Sequence, residues 1–128
     1  ASASIPATSR NTNSSILFLT GHNTNGQMPD DINWHAVAKI PVVIMYMAIK
    51  HLPIIAKRLI KEGRSPEDSI AVIQDATLKS ERVLESNLIN INKDIENNQI
   101  KAPAIVVLGP VVGLRSKLIQ NVIKDAIN

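Results

Sequence analysis

Three strand ends hold the side chains of this chain that could do chemistry. Residues 41–49 read PVVIMYMAI. An apolar run this short, headed by proline and carrying the β-branched Val42, Val43 and Ile44, predicts a central strand buried on both faces. Tyr46, Met47 and Ala48 then stand at its carboxyl end, where ligands gather in open α/β sheets. Methionines at strand ends also serve as ordinary core filler, so Met47 carries both readings. His22 closes the run at 16–20 with a titratable imidazole at the rim, or is simply a solvated turn residue. Ala76, in the turn after a third run, is small enough for its backbone to approach a ligand closely, or marks only a tight turn.

The chain lacks other local chemistry. It has no glycine-rich phosphate loop, no His or carboxylate cluster at metal-ligand spacing and no local Ser, His and Asp motif. No catalytic residue and no metal ligand is therefore assigned. With no cysteine there is no disulfide framework and no thiolate metal site, and nothing marks the chain as secreted, which leaves the cytoplasm as the expected compartment. No apolar run approaches the roughly 20 residues of a membrane span. The opening residues lack the basic start and apolar middle of a signal peptide, so a soluble protein is expected. Fourteen Lys and Arg against eleven Asp and Glu give a formal charge of +3, scattered without a basic block. Phe18, Trp34 and Tyr46 are the only aromatic residues. Both features argue against nucleic acid as a partner.

At 128 residues the chain is one domain's worth. Residues 1–15 are small and polar, the composition of a linker or surface loop, and a chain that opens this way is expected to be a piece of a longer protein. A strand over 16–20 ends at Gly21. The polar loop 23–31 carries turn signals at Asn25-Gly26 and Pro29-Asp30, and Asp30 or Asp31 is expected to cap a short helix over 33–39 that packs Trp34, Val37 and Ala38. After the strand at 41–49, Leu52, Ile55, Ala56, Leu59 and Ile60 recur at helical spacing, with Lys57, Arg58, Lys61 and Glu62 opposite. Gly63 closes that helix. Further strands are expected over 69–74, at an edge over 81–86, and over 104–108. Helices are expected over 88–97, with Leu88, Ile91, Asn92 and Ile95 inward, and over 116–127. The alternation predicts an α/β fold, a mixed sheet of about five strands flanked by helices. The residues alone lead to an α/β ligand-binding domain or half of an enzyme.

Several stretches taken together say more. IPATSR (5–10), SSILFLTGH (14–22), DINW (31–34), MYM (45–47), RLIKEG (58–63), IQDAT (73–77) with Arg82-Val83, AIVVLG (104–109) and VGLR (112–115) occur in an order and spacing that resemble the C-terminal half of uroporphyrinogen-III C-methyltransferases, of the tetrapyrrole methylase family, over nearly the whole chain. The resemblance implies residues 1–13 as an interdomain linker and 14–128 as the second of two α/β domains, with S-adenosylmethionine bound between them and S-adenosylhomocysteine left as product. It implies methylation of uroporphyrinogen III to precorrin-2 on the routes to sirohaem and cobalamin, and a homodimer. The family's glycine-rich stretch and acid/base groups belong to an N-terminal domain that is absent here, so this fragment alone is expected to be inactive.

Residue by residue, the resemblance puts Tyr46 and Met47 against the cofactor and Ala76 near its adenosine part, with Arg10 and His22 near the tetrapyrrole. Ser9 stands where the family usually has histidine. Ala48 stands where it usually has glycine, which would add a methyl beside the cofactor. A guanidinium and an imidazole suit a substrate rich in carboxylates. The alternatives are another methylase of the cobalamin route, such as precorrin-4 methyltransferase, and a non-catalytic binding module of the same fold. The Thr20-Gly21-His22 and Asn33-Trp34 features favour the first reading over the former.

Overall fold

The computed structural model describes residues 15–21, 26–75 and 78–110. Along them run β1 (Ile16–Thr20), α1 (Trp34–Val37), β2 (Val42–Tyr46), α2 (Leu52–Lys61), β3 (Ser69–Gln74), β4 (Arg82–Asn87), α3 (Ile91–Asn97) and β5 (Ala104–Leu108). The expected linker at 1–13 and closing helix at 116–127 lie outside the described residues. The strands form one mixed sheet in the order β1-β2-β5-β3-β4. The expected α/β fold with about five strands is therefore what the chain adopts. Within the run at 41–49, Val42 to Met45 are buried on both faces as expected, but the strand they form is not the middle one. That place belongs to β5, which lies antiparallel to β2 on one side and to β3 on the other. β4 does form an edge, paired only with β3.

Local signals explain most boundaries. α2 opens with proline in its first turn and buries Leu52, Ile55, Ala56 and Leu59, the face expected from their spacing, while Ile60 is only partly covered. Its end is a Schellman turn: Gly63 takes φ 111°, its N–H donates to the Ile60 carbonyl at 3.1 Å, and the Arg64 N–H donates to Leu59 at 2.9 Å. Two expectations at helix starts need correction. The cap of α1 is Asn33, whose Oδ1 accepts the Ala36 N–H at 3.1 Å, and neither Asp30 nor Asp31 plays that part. An amide oxygen directly before the helix reaches the third N–H, which a carboxylate two or three residues further back cannot. α3 starts at Ile91, not near Leu88, because Asn87 Oδ1 takes the Asn90 N–H at 3.0 Å and makes a turn of the intervening residues; Leu88 is buried all the same.

The three helices of the described residues all contribute to one apolar cluster on a single face of the sheet. Trp34, Val37, Leu52, Ile55, Leu59 and Ile91 meet Val43, Met45, Ile70, Val72, Val106 and Leu108 there. The alternate residues Val42, Ile44, Ala71, Ile73 and Val107 form a second cluster on the other face. Burial of both sets is what makes β2, β3 and β5 near-continuous apolar runs.

One charged side chain sits inside this frame. The Schellman turn delivers Arg64 inward, where it is only 8% exposed. Its guanidinium donates to the carbonyls of Ile40 at 2.5 Å, Pro41 at 2.8 Å and Ala38 at 3.4 Å, and its Nε pairs with Asp68 at 2.6 Å. Those carbonyls belong to the end of α1 and the segment leading into β2, outside the bounds of both elements. A planar fork with five donors can serve several acceptors at once, which an ammonium on a flexible stem cannot. Arg64→Ala is expected to destabilise the protein by about 2–4 kcal/mol, since it strands buried acceptors together with their ion pair. Arg64→Lys should recover less than half of that loss. Urea unfolding monitored at Trp34 measures both, and a loss below about 1 kcal/mol for Arg64→Ala would show that water replaces the fork.

Candidate functional site

The register builds the floor of a cleft. Tyr46 pairs with Ile105 across β2 and β5, and Ile105 pairs with Ile73 across β5 and β3. The three side chains therefore form one row on the same face of three neighbouring strands. β2 and β3 both point their carboxyl ends at this edge, and β5 brings its amino end, with Ala104 beside Gln74 and Pro103 just before it. The chain leaves β2 and β3 through left-handed corners at Met47 and Asp75, both with φ 53°. Non-glycine residues rarely adopt that region, and such corners cluster at ligand sites. Between them opens a cleft of about 680 Å³ whose walls include Tyr46, Met47, Ile49, Lys50, Leu78 and Pro103. Its volume falls within the usual range of small-molecule sites, and its lining is mainly apolar with a few polar groups.

Each wall is held by backbone bonds. The Tyr46 carbonyl accepts the Gly21 N–H at 2.7 Å, which joins the ends of β1 and β2. The Asp75 N–H donates to the Pro103 carbonyl at 3.1 Å, and its own carbonyl accepts the Leu78 N–H at 3.0 Å. Ser80 donates its hydroxyl to Asp75 Oδ2 at 3.1 Å. On the far side of Met47, His51 Nε2 lies 3.0 Å from the Gly26 carbonyl and ties the loop before α1 to the start of α2. Tyr46 also stacks on Phe18, with ring centroids 6.3 Å apart. Burial pushes its phenol above the ordinary value of 10.0, so Tyr46 keeps its proton and stays a donor.

No protein-family model matches the chain. It is 44% identical over 117 residues to a uroporphyrinogen-III C-methyltransferase of a Sinorhizobium species, a match covering 91% of this chain and 42% of that protein. It is 38% identical over 117 residues to a siroheme synthase of Azotobacter vinelandii, covering 91% and 25%. Among solved structures, the uroporphyrin-III C-methyltransferase of Thermus thermophilus complexed with S-adenosylhomocysteine superposes with a TM-score of 0.75 at 24% identity, over 87% of this chain and 48% of that one. The chain resembles uroporphyrinogen-III C-methyltransferases in sequence and in fold. A cobalt precorrin-4 methyltransferase shares the fold at a TM-score of 0.73 with only 14% identity, over 84% of this chain and 45% of that one. The chain spans less than half the length of these methyltransferases.

Of the residues that the sequence pointed to, Tyr46 and Met47 come together in the cleft. Met47 is 53% exposed, so it is a wall residue and not core filler. Arg10, His22 and Ala76 lie outside the described residues. The position of Ala48 differs from the expected one: it is fully buried in the helix-side cluster, away from the cleft lining. Gly21 explains why. A Cβ on Gly21 would collide with the Cα and methyl of Ala48, so the methyl fills space that glycine at position 21 leaves open. Sequence reasoning missed Lys50, Asp75, Pro103 and Ile105. The available signal for Asp75 was its place directly after an apolar run; Pro103 and Ile105 enter at an amino end, where carboxyl-end reasoning does not look.

Tyr46 gives a pH signature. Its folded pKa lies above the unfolded value near 10.0, so its contribution to stability is complete below that pH and is lost as pH rises through the folded value. The stability difference between wild type and Tyr46→Phe should hold steady to about pH 9 and then move against the wild type by about pH 11. Denaturant midpoints for both proteins across that range read the difference, which also cancels the titration of the lysines. A flat difference would place the phenol in water.

Proposed function

We propose that this chain is the C-terminal domain of an S-adenosylmethionine-dependent uroporphyrinogen-III C-methyltransferase, and that the full-length protein makes precorrin-2. The observation that carries the reading is the apolar cleft between the left-handed corners at Met47 and Asp75, at the strand edge where the sequence resemblance expects the cofactor. The lining fits that group: an apolar floor for a nucleoside, an exposed thioether at Met47, and single polar groups at Lys50 and Asp75. When bound, S-adenosylmethionine supplies an electrophilic methyl on a positive sulfonium.

This chain's residues then have positioning roles. The row of Tyr46, Ile105 and Ile73 excludes water beneath the ligand. The bonds from Gly21 to Tyr46 and from Asp75 to Pro103 fix the height of the two corners. Holding nucleophile and methyl donor in line accounts for much of the rate in such transfers, so a rigid cleft is the domain's contribution to it. Arg10 and His22 bind substrate carboxylates and Ala76 lies by the adenosine, as the resemblance implies. The first domain supplies the acid/base groups, which leaves this fragment inactive alone. Assembly as a homodimer in the cytoplasm completes the proposal. Precorrin-4 methyltransferase shares the fold at much lower identity, and no feature of the cleft favours it.

The full-length protein should bind S-adenosylhomocysteine in calorimetric titration, and Met47→Ala should weaken that affinity roughly five- to twentyfold. Because the side chain is half exposed, stability should change by less than about 1 kcal/mol. A β-branched replacement would be a poor probe, since valine at φ 53° strains the corner itself. Unchanged affinity in Met47→Ala would remove the corner from the site. Separately, Arg10→Ala should lower kcat/KM for uroporphyrinogen III by about ten- to a hundredfold while leaving S-adenosylhomocysteine affinity intact. Equal loss of both would make Arg10 structural.

A further inference from the structure

The chain carries three methionines and no cysteine, so its sulfur chemistry is thioether chemistry. The three differ in their access to water. Met45 is fully buried in β2, and Met28 is partly covered where it packs against the helix-side cluster. Met47 is 53% exposed. It stands at the left-handed corner in the wall of the cleft, and the bond from the Gly21 N–H to the Tyr46 carbonyl holds the backbone just before it. Exposure at this corner is therefore set by the backbone.

A thioether needs no lowered pKa and no neighbouring base to react with a hydroperoxide, so access to the sulfur decides which methionine reacts first. With hydrogen peroxide, a sulfur lone pair takes one peroxide oxygen, the O–O bond breaks and the other oxygen leaves as water. Sulfur loses two electrons and the peroxide gains them. The product is a polar, chiral sulfoxide, which methionine sulfoxide reductases return to the thioether by oxidising two thiols. At Met45 the oxidant would have to enter the core. At Met47 it meets an open wall that is mainly apolar, with Tyr46, Ile49, Leu78 and Pro103 around the same cleft. A sulfoxide there turns a strong acceptor toward the space a ligand fills, and it loses hydration when an apolar part of that ligand seats against it.

We infer that Met47 is a reversible oxidation site whose sulfoxide lowers the affinity of the cleft for its nucleoside ligand. The consequence for binding rests on the nucleoside-cofactor reading of the cleft and deepens it. Peroxide thus turns the protein down at the binding step while the fold stays intact.

The test treats the full-length protein with hydrogen peroxide, removes the excess with catalase, maps methionine sulfoxide by peptide mass and titrates S-adenosylhomocysteine calorimetrically before and after. Met47 should oxidise at least about fivefold faster than Met28 and Met45, and affinity should fall about fivefold or more once Met47 is converted. Reductases for both sulfoxide epimers should restore it. Met47→Leu, sulfur-free and unbranched at Cβ like methionine, separates this residue from every other oxidisable group in the full-length protein. Whatever its starting affinity, peroxide should leave that affinity unchanged. An equal loss in Met47→Leu would overturn the inference, as would oxidation of Met28 or Met45 ahead of Met47, or a Met47 sulfoxide form that binds as tightly as the untreated protein. Unfolding of the oxidised protein at the assay temperature would overturn it too, since the loss would then come from the fold. An untreated protein that binds no S-adenosylhomocysteine would instead remove the cofactor reading on which the inference rests.

Discussion

The insertion of β5 between β2 and β3 governs this domain. β5 is hydrogen-bonded along both sides and runs against both neighbours, so β2 and β3 must run parallel to each other, two strand spacings or roughly 10 Å apart. Their chains depart at the same edge, over an amino end that cannot fill the gap. A sheet with β2 and β3 side by side would bring the two departing corners into contact. With β5 between them, the edge has a floor of Ile105 flanked by Tyr46 and Ile73, and room above it. The cleft is thus a product of strand order before it is a product of side chains.

Side-chain chemistry then keeps the gap open and dry. Both corners are left-handed at residues with side chains, an arrangement that costs about 1–2 kcal/mol at each and persists only where the surroundings fix it. Here the fixing bonds come from Gly21 at Tyr46, next to one corner, and from Pro103 at the other. The close approach of Gly21 to Ala48 locks the exit of β2 against β1, so the Met47 side chain cannot turn back into the core. Packing on the helix side and binding on the cleft side are consequently set by the same few residues.

The strands were legible because their burial leaves little ambiguity. Val42 to Met45 and Ile70 to Ile73 are apolar without a break, and the bounds read for β1, β3 and β5 coincide with the observed ones. Helix starts were less legible, since Asn33 and Asn87 compete with nearby aspartates and asparagines for the same role and only geometry picks the winner. Strand order was legible only at the charged edge strand β4: the apolar runs look equally central when their neighbours are unknown, and so Ile105 and Pro103 gave no sign of joining Met47. Arg64 was hidden for a related reason. A lone arginine after a helix-ending glycine reads as a solvated surface charge until the carbonyls of Ile40 and Pro41 are seen to need it.

That buried guanidinium sits at the opposite edge of the sheet from the cleft, tying α1, α2 and the start of β2 into one body. Among the described residues the cleft edge has no buried charged tie of this kind; backbone bonds at its corners and the contacts of Ser80 and His51 hold it. Local opening should therefore be graded along the strands, with amides near the arginine exchanging only on global unfolding and those beyond Tyr46 and Gln74 exchanging through small fluctuations. Such a gradient separates folding from recognition. The anchored edge carries cooperativity, and the cleft edge can adjust to a ligand without the core having to move.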